Sequence, residues 1–569
     1  MNTVIILVLL APLLAGLLIS LLGRTLGEQS YKIGVPAIVA AFVGSAWILY
    51  TVTTAGPAQL SITTRTPAST GWFQFGFYVD RLSAVMMVLI TGVSAIIHLY
   101  SIRYMQGERG YARFYALLSF MSVVLLAMVA SANLFMLFVC WQLVSWLLYL
   151  LLVYNYTHRP AVESAFKSFL VFSIGDVAFL AGVVLAYRTY GTLEFPALFE
   201  QAAQTAAAVS LWPGGPELSA ATAITLLLFV GAMAKSAQLP LSMWLPDTMD
   251  APTPVSALMH AGIVNAAGFL INRLAPLYGQ APETLHVVFV IGGLTTILGA
   301  IMMRTQSDIK KMLGFSTMGQ MGYMVMECGL GAFALAIFHL IAHGIFKATL
   351  FLHAGNVIHA ARREPKFPPT HNPAEADEFA RLPWLTGVAT TLILPLVILL
   401  AANGVLHIPL PDQQGAVIFL FFAWVTSSQA LLSLYRLRAV ESWKVAVLMG
   451  LTVFLVVLTY LWAAEAFTYY LYPAPGQAAH YFQVAAFPLW LFNLFVVTVA
   501  LLVIAWWAVA YSNIRGRHIL TPNWVTALAP RLYVYFWNRL YIDALYARTG
   551  QALNRLARRL DARLPEWLP

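Results

Sequence analysis

The stretch GAMAKSAQLPLSMWLPDTMDAPTPVSALMHAG, from Gly231 to Gly262, decides how this chain folds. It places Lys235 and His260 among residues that are mostly apolar. Between them lie Pro240, Pro246, Pro252 and Pro254. Proline inside a helix removes a backbone hydrogen bond, and a broken helix at membrane depth is tolerated where it is buried in protein or lines a wet cavity. The stretch therefore predicts interrupted helices that hold ionisable groups at an ion site.

The composition of the whole chain predicts an all-α polytopic membrane protein. Of 569 residues, 60% are hydrophobic and 10% are charged, whereas soluble domains contain about 45–50% apolar and about 25% charged residues. The net charge of +9 is typical of basic cytoplasmic loops and does not require a nucleic-acid partner. The two cysteines, Cys140 and Cys328, are too few for an iron–sulfur cluster. We expect no cofactor and no catalytic centre in this chain.

Apolar segments of roughly 20 residues, the length that spans a bilayer, recur along the chain and predict about 13–16 transmembrane helices. Lysine and arginine concentrate in the loops after odd-numbered segments, which places the N-terminus outside and the C-terminus in the cytoplasm. The predicted spans are 3–22, 34–54, 80–101, 113–131, 133–153, 164–187, 219–238, 253–277, 284–303, 311–329, 332–359, 384–404, 414–434, 445–465 and 485–511.

The tail after Pro530 has a different pattern. Leucines recur at roughly helical spacing between arginines, which predicts an amphipathic basic helix too polar to span the membrane. Such a helix serves either as an anchor on the membrane surface or as a docking helix for a partner subunit. The residues that form this pattern are Leu532, Tyr535, Leu540, Leu545, Leu553, Leu556 and Leu560, with Arg548, Arg555, Arg558, Arg559 and Arg563.

The eleventh span carries three protonatable side chains in a row along one helix face. His339, His343 and Lys347 are spaced four residues apart and therefore share one helix face. Histidine titrates near neutral pH, and a buried charge at the bilayer centre costs roughly 2.5–3.5 kcal/mol, so such groups usually mark ion paths. This pattern favours a proton relay. Two alternatives stay open: polar contacts that hold helices together, and a metal site that would need a third ligand such as His353.

Further ionisable residues complete the candidate proton or cation pathway. Asp176 lies in the sixth span and Glu327 lies near the end of the tenth, with Lys310 just before its start. Together with Lys235 and His260, these residues give each half of the chain its own buried charges. Glu163, just before the sixth span, is added as a possible counter-ion.

Long motifs resemble the antiporter-like subunits of respiratory complex I and of multisubunit cation/proton antiporters, and most specifically the subunit L branch of NADH-quinone oxidoreductase. The resemblance rests on the stretch quoted above, on SDIKKMLGFSTMGQMGYM (Ser307–Met324) and on FHLIAHGIFKATLFLHAGNVIH (Phe338–His359). It is strong over residues 75–360. It implies two inverted five-helix repeats with broken helices at their centres. It also implies a proton path through Lys235, His260, His339, His343 and Lys347.

The sequence departs from that family at three places. In VCWQLVSW, Gln142 stands where the family has a glutamate that pairs with the first lysine, and a glutamine carries no charge. Lys235 therefore needs another counter-ion, for which Asp176 and Glu163 are the candidates. The twelfth span also lacks the charged residue of the family, and after FWNRLYIDALY the chain lacks the rest of the long lateral helix.

These departures resemble DabB, the subunit L-like membrane partner of DabA in bacterial inorganic carbon accumulation complexes. The resemblance implies a heterodimer with a soluble, zinc-binding, carbonic-anhydrase-like subunit, in which cation movement energises CO2 hydration to bicarbonate. A complex I subunit, a cation/proton antiporter subunit and a non-conducting membrane anchor stay as alternatives. The expected organisation is N-terminal helices over 1–112, an antiporter-like core over 113–440, further transmembrane helices over 441–512 and a cytoplasmic tail over 513–569.

Overall fold

The computed structural model describes residues 1–61, 75–210, 214–363, 443–514 and 523–561, with the single positions 393 and 397. Its long elements are all helices, which confirms the all-α membrane class. The first group is α1 (Asn2–Leu26), α2 (Tyr31–Ala55), α3 (Arg81–Tyr104), α4 (Tyr111–Val129), α5 (Leu134–Leu152), α6 (Arg159–Tyr190), α7 (Phe195–Gln204), α8 (Ala220–Lys235), α9 (Thr253–Ala261), α10 (Ala266–Arg273), α11 (Ala275–Tyr278), α12 (Pro282–Thr305), α13 (Ile309–Gly329) and α14 (Phe333–Arg363). The second group is α15 (Trp443–Leu471), α16 (Gln477–Val484), α17 (Leu489–Ile514), α18 (Asn523–Trp537) and α19 (Ile542–Asp561).

Within those described residues, eight segments are long and apolar enough to cross a membrane, with α1 and α2 counted as one segment. A ninth is added if α16 and the first part of α17, which meet at 83°, are one bent span. The predicted spans 384–404 and 414–434, which belong to the expected second repeat, lie outside the described residues. The predicted count of 13–16 spans therefore extends over more of the chain than the structure describes.

Two predicted spans contain the helix interruptions that the prolines and the family resemblance predict. The segment expected at 219–238 ends as a helix at Lys235, and an irregular stretch with a 3-10 turn (Leu245–Asp250) follows it. The segment expected at 253–277 breaks after Ala261, where Ile263–Asn265 forms a 3-10 turn before α10. Side chains satisfy the freed backbone groups: Asn265 Nδ2 donates to the Ala261 carbonyl at 2.6 Å, and the Ala267 amide donates to Ser236 Oγ at 2.8 Å.

The broken pair α9–α10 lies at the centre of the bundle. In its apolar window 94% of residues are buried, against 33% in the window of α1 and α2. α14 packs along α9 and α10, and α8 packs against α6 and α10. The side chains that the sequence places on these broken helices are therefore surrounded by protein rather than by lipid.

Two short antiparallel hairpins were not predicted from the sequence. The strand β1 (Ala58–Ser61) pairs with β2 (Gly76–Val79), and β3 (Ala208–Ser210) pairs with β4 (Glu217–Ser219). Each hairpin joins two helices. Strands of three or four residues are too short to give a period-two pattern that would stand out in an apolar sequence.

Candidate ion-conducting site

The Lys235 ammonium is buried where α5, α6 and α8 meet. It donates to the Trp141 carbonyl at 2.7 Å and to Ser145 Oγ at 2.5 Å, and only 1% of its side chain is exposed. Its nitrogen also lies 4.8 Å from the centre of the Trp141 ring. Lys235 is the last residue of α8, and the negative end of a helix dipole favours a cation there. The helix break thus creates a cation-binding environment inside the protein.

Asp176 supplies the negative charge beside Lys235. Its Oδ1 lies 4.0 Å from Lys235 Nζ and accepts a hydrogen bond from Trp141 Nε1 at 2.9 Å. Its Oδ2 accepts from the Ser145 hydroxyl at 3.3 Å. The Asp176 side chain is 3% exposed. Lysine and aspartate therefore form a buried pair that Ser145 bridges.

Close helix packing brings Asp176 to this position. A Cβ atom at the neighbouring Gly175 would lie 2.4 Å from the Ala234 Cβ, and a Cβ atom at Gly231 would lie 2.8 Å from the Phe179 Cβ. Only glycine lets α6 and α8 approach this closely. The carboxylate of Asp176 reaches the end of α8 because the two backbones are nearly in contact.

The two other residues considered for the counter-ion take different roles. Gln142 is half-buried and its amide interacts with the Asp176 carboxylate. Glu163 lies near the start of α6, is 63% exposed and pairs with Arg159 at 2.7 Å. The hypothesis that Glu163 is the counter-ion of Lys235 is therefore wrong. Glu163 is exposed near the start of α6, whereas the Lys235 amine is buried beside Asp176 in the middle of that helix.

His260 lies in the last turn of α9 and is fully buried. Its ring stacks on Phe351 of α14, with centroids 4.1 Å apart. Neither ring nitrogen has a hydrogen-bond partner in the described part of the chain. Buried polar groups are normally hydrogen-bonded, so these nitrogens are available to water or to a transported proton. The charges of Lys347 and Lys310 both act on this ring.

The three side chains in file on α14 are buried as the spacing predicts. Lys347 Nζ donates to Ser316 Oγ of α13 at 2.8 Å, and 2% of this lysine is exposed. His343 is 5% exposed, and its two ring nitrogens are without a partner among the described atoms. The His339 ring follows, with its centroid 6.2 Å from that of His343. A single helix face therefore carries Lys347, His343 and His339 in sequence.

Glu327 and His339 form a pair near one end of the bundle. Glu327 Oε2 lies 3.0 Å from His339 Nδ1, and His339 Nε2 lies 3.0 Å from Gln320 Oε1. The proposed third metal ligand, His353, is exposed and lies about 15 Å from His343 along the helix axis. The described residues include no group of three His, Cys, Asp or Glu side chains that could hold a metal ion. The arrangement on α14 favours proton exchange over metal binding.

Lys310 lies at the start of α13, at the opposite end of that helix from Glu327. Its ammonium donates to the carbonyls of Met249 and Ala251, at 3.0 and 3.4 Å, just before α9 begins. It also lines a polar cavity of about 800 Å³, together with Lys167 and Asp247. This cavity gives water access to the irregular backbone between Lys235 and His260.

The C-terminal segment contacts the same irregular backbone. Asp247 pairs with Lys167 at 2.7 Å and with Arg539, and Asp543 pairs with both of those basic residues. The hydroxyl of Tyr546 donates to the Pro240 carbonyl. The predicted amphipathic helix is confirmed from Ile542 onward as α19, but its predicted start at Pro530 lies in α18, and a turn at Arg539–Tyr541 separates the two helices. The first turn of α19 is joined to the break that follows Lys235. From Ala547 onward the described side chains of α19 are exposed.

The uncharged polar residues of the site were not predicted from the sequence. Ser145, Ser316 and Gln320 each hydrogen-bond a predicted pathway residue. A search for charge at membrane depth does not find them. One feature of the sequence could have indicated Ser145: it follows Trp141 by four residues and so lies on the same face of α5.

Comparison with known families identifies the architecture. A family model described as "NADH:quinone oxidoreductase/Mrp antiporter, TM" matches residues 131–422, and one described as "NADH-Ubiquinone oxidoreductase (complex I), chain 5 N-terminus" matches residues 67–115. This chain belongs to the antiporter-like membrane subunit family. The first match covers Lys235, His260 and all three residues of the α14 row, so the polar residues described above lie in the part that defines the family.

Curated relatives resolve the likeness further. The chain is 39% identical over 565 residues to the "Probable inorganic carbon transporter subunit DabB1" of Halothiobacillus neapolitanus, with 97% of each chain covered. It is 37% identical over 364 residues to "NADH-quinone oxidoreductase subunit L" of Neisseria meningitidis, covering 63% of this chain and 54% of that protein. The likeness to the carbon-transporter subunit therefore spans both chains, whereas the respiratory subunit is matched over about half its length.

Solved structures show the same fold. A chain of the Mrp complex from Dietzia sp. aligns with a TM-score of 0.61 and 20% identity, covering 99% of this chain and 60% of that one. A chain of an archaeal membrane-bound sulfane sulfur reductase aligns with a TM-score of 0.56 and 18% identity, covering 90% and 97%. At these identities the likeness concerns the fold of the antiporter-like subunit.

Proposed function

We propose that this chain conducts a cation, most readily the proton, through the row of buried titratable groups from Lys310 to Glu327. The observation that carries the proposal is the file of Lys347, His343 and His339, which continues directly into Glu327 on the neighbouring helix. Proton transfer requires groups that both bind and release a proton within a short hop of one another. Histidine, lysine and glutamate side chains meet that requirement.

Three features support conduction over a purely structural role. The ring nitrogens of His260 and His343 are buried and have no hydrogen-bond partner among the described residues, which a structural contact would avoid. The polar cavity beside Lys310 supplies one aqueous end. The Lys235–Asp176 pair retains the paired charges of the family although Gln142 replaces the usual acid. The cavity end is proposed to face the cytoplasm, with the N-terminus outside the bacterial inner membrane, as the distribution of basic loops indicates.

The partner is proposed to be a soluble, zinc-binding, carbonic-anhydrase-like subunit of the DabA type. Support comes from the full-length likeness to a protein named as a subunit of an inorganic carbon transporter. On this proposal, cation movement energises the hydration of CO2 to bicarbonate on the partner, and the chemistry takes place there. This chain supplies the driving force, and zinc belongs to the partner.

A non-conducting anchor is the second candidate, and Gln142 is the observation that favours it. The replacement removes the family glutamate from α5. Asp176, however, places a carboxylate beside the same lysine. Replacing a whole buried ion pair by well-packed apolar residues is often neutral or stabilising, so an inert scaffold would gain nothing by keeping these charges.

Proton flux in proteoliposomes tests the proposal. The full chain, alone and with the soluble zinc partner, is reconstituted with an internal pH-sensitive dye and exposed to a pH gradient in the presence of valinomycin and K⁺. Dissipation of the gradient is expected for the wild type and is expected to be lost in Lys235→Ala. Lys32→Ala, which changes an exposed lysine, is the matched control. A Lys235→Ala variant that binds the partner and retains full activity would support the anchor.

A further inference from the structure

Glu327, His339 and Gln320 form a hydrogen-bonded triad in which the protonation of His339 and the orientation of the Gln320 amide depend on each other. His339 Nδ1 lies 3.0 Å from Glu327 Oε2, and His339 Nε2 lies 3.0 Å from Gln320 Oε1. With the amide oxygen turned toward the ring, a proton on Nε2 satisfies the second contact. When a second proton lies between Nδ1 and the carboxyl group, imidazole and carboxyl together are electrically neutral, and this is called the loaded form.

Loss of one proton changes which hydrogen-bond partner His339 Nε2 requires from Gln320. If Nδ1 keeps its proton and donates to the Glu327 carboxylate, the proton leaves from Nε2, and the pair carries one negative charge. The bare Nε2 atom then requires a donor in place of an acceptor. A glutamine side chain offers both, because its amide carries an oxygen and an NH2 group that exchange places when the amide turns.

The burial of the three residues differs in a way that fits this exchange. Glu327 is 3% exposed and His339 is 9% exposed, so the charged pair is held in a fixed, largely dry position. Gln320 is exposed, so no close packing prevents rotation of its amide. The buried members hold the proton, and the exposed member adapts its amide to the presence or absence of that proton.

We propose that Glu327, His339 and Gln320 form a proton-holding site at the end of the α14 row, with Gln320 turning its amide to match both protonation states. The proposal deepens the proposed conduction and rests on it for its physiological meaning. The proton arrives from the His343 side and is held between His339 and Glu327. It is released from Nε2, which faces the exposed side chain of Gln320.

Among the residues that the structure describes, the other titratable groups around the pair are few. His343 lies one helical turn away on α14, and the Tyr323 ring lies 5.1 Å from that of His339, centre to centre. Cys328 follows Glu327 in the chain and is within contact of Asn272. Tyrosine and cysteine are neutral at physiological pH. Of these described neighbours, His343 is therefore the one that exchanges protons with the site.

Infrared difference spectroscopy tests the site independently of flux. The reconstituted full chain is titrated with acid and base, and the protonation-linked carboxyl and imidazole bands are recorded. We expect Glu327→Gln to remove a band pair that Glu200→Gln, which changes an exposed glutamate on α7, retains. Glutamine preserves the size of the side chain and its ability to hydrogen-bond, so a merely structural role would leave the spectrum unchanged.

Flux measurements on the same vesicles complete the test. Proton flux is expected to fall by about tenfold or more in Glu327→Gln and in Gln320→Met, and to recover in part in Glu327→Asp. Size-exclusion profiles identify any variant that fails to fold. A Glu327→Gln spectrum equal to that of the wild type overturns the holding site. If the wild type shows no proton flux but its titration bands still depend on Glu327, the proposed conduction is overturned and the holding site stands.

Discussion

Lys235 Nζ and Asp176 Oδ1 approach to 4.0 Å, and both side chains contact the Ser145 hydroxyl. The negative charge beside the lysine thus comes from α6, whereas the family resemblance places it on α5. In this chain the buried lysine is therefore paired with a carboxylate of α6, and the uncharged Gln142 stands on α5.

Asp176→Asn should abolish proton flux. The change leaves the Lys235 cation buried without a counter-charge, and removal of one partner of a buried pair costs about 3–5 kcal/mol. Thermal unfolding in detergent and the proteoliposome assay measure both effects. The double variant Asp176→Asn/Gln142→Glu returns the acid to α5 and should recover part of the flux. Undiminished flux in Asp176→Asn alone would show that this carboxylate takes no part.

Gly175→Ala should weaken the same pair without altering any charge. The added methyl group would lie 2.4 Å from the Ala234 Cβ, so α6 must move away from α8. Overpacking of this kind costs about 1–3 kcal/mol, and flux should fall with the displacement of Asp176. Gly550→Ala is the matched control, because nothing lies within 4 Å of its new methyl group. Equal unfolding temperatures for the two variants would contradict the prediction.

Lys347→Arg separates a proton relay from a fixed positive charge. Arginine keeps its proton under all relevant conditions, so a relay through this position should stop while the charge near Ser316 is preserved. The flux assay described above measures the loss, and Lys32→Arg on the surface serves as control. Wild-type flux in Lys347→Arg would exclude this lysine from proton transfer.

The four-residue network at the start of α19 should hold the C-terminal segment against the break. Asp247→Asn removes one of the two acids that pair with both Lys167 and Arg539, the one that lies in the break. We expect faster limited proteolysis within residues 538–561, because Arg539, Leu540 and Tyr541 have φ angles of 56°, 59° and 56°, and left-handed backbone costs roughly 1–2 kcal/mol per residue.

An exposed ion pair supplies the control for that experiment. Glu163 and Arg159 are 63% and 88% exposed, and such pairs contribute about 0–1 kcal/mol. Arg159→Ala should therefore leave the cleavage rate unchanged. Equal rates for Asp247→Asn and Arg159→Ala would mean that the network does not secure the tail.

The sequence predicts the helices, the break after Lys235 and the row on α14 because each rests on local chemistry. Apolar runs, prolines and a four-residue spacing are all visible without knowledge of the packing. The position of the Asp176 carboxylate beside Lys235 was not predictable, because it depends on how closely α6 and α8 approach. The same holds for Glu327, whose partner His339 lies on the next helix, and for the contact of Arg539 with Asp247 across most of the chain.

Lys310 and Glu327 stand near opposite ends of α13, about 26 Å apart at 1.5 Å per residue. That length is most of the roughly 30 Å hydrocarbon thickness of a bilayer. A charge that travels between them crosses most of the electric field, in which each elementary charge gains or loses about 2.3 kcal/mol per 100 mV of transmembrane voltage. Occupancy of the Glu327–His339 pair would therefore respond to voltage as well as to pH.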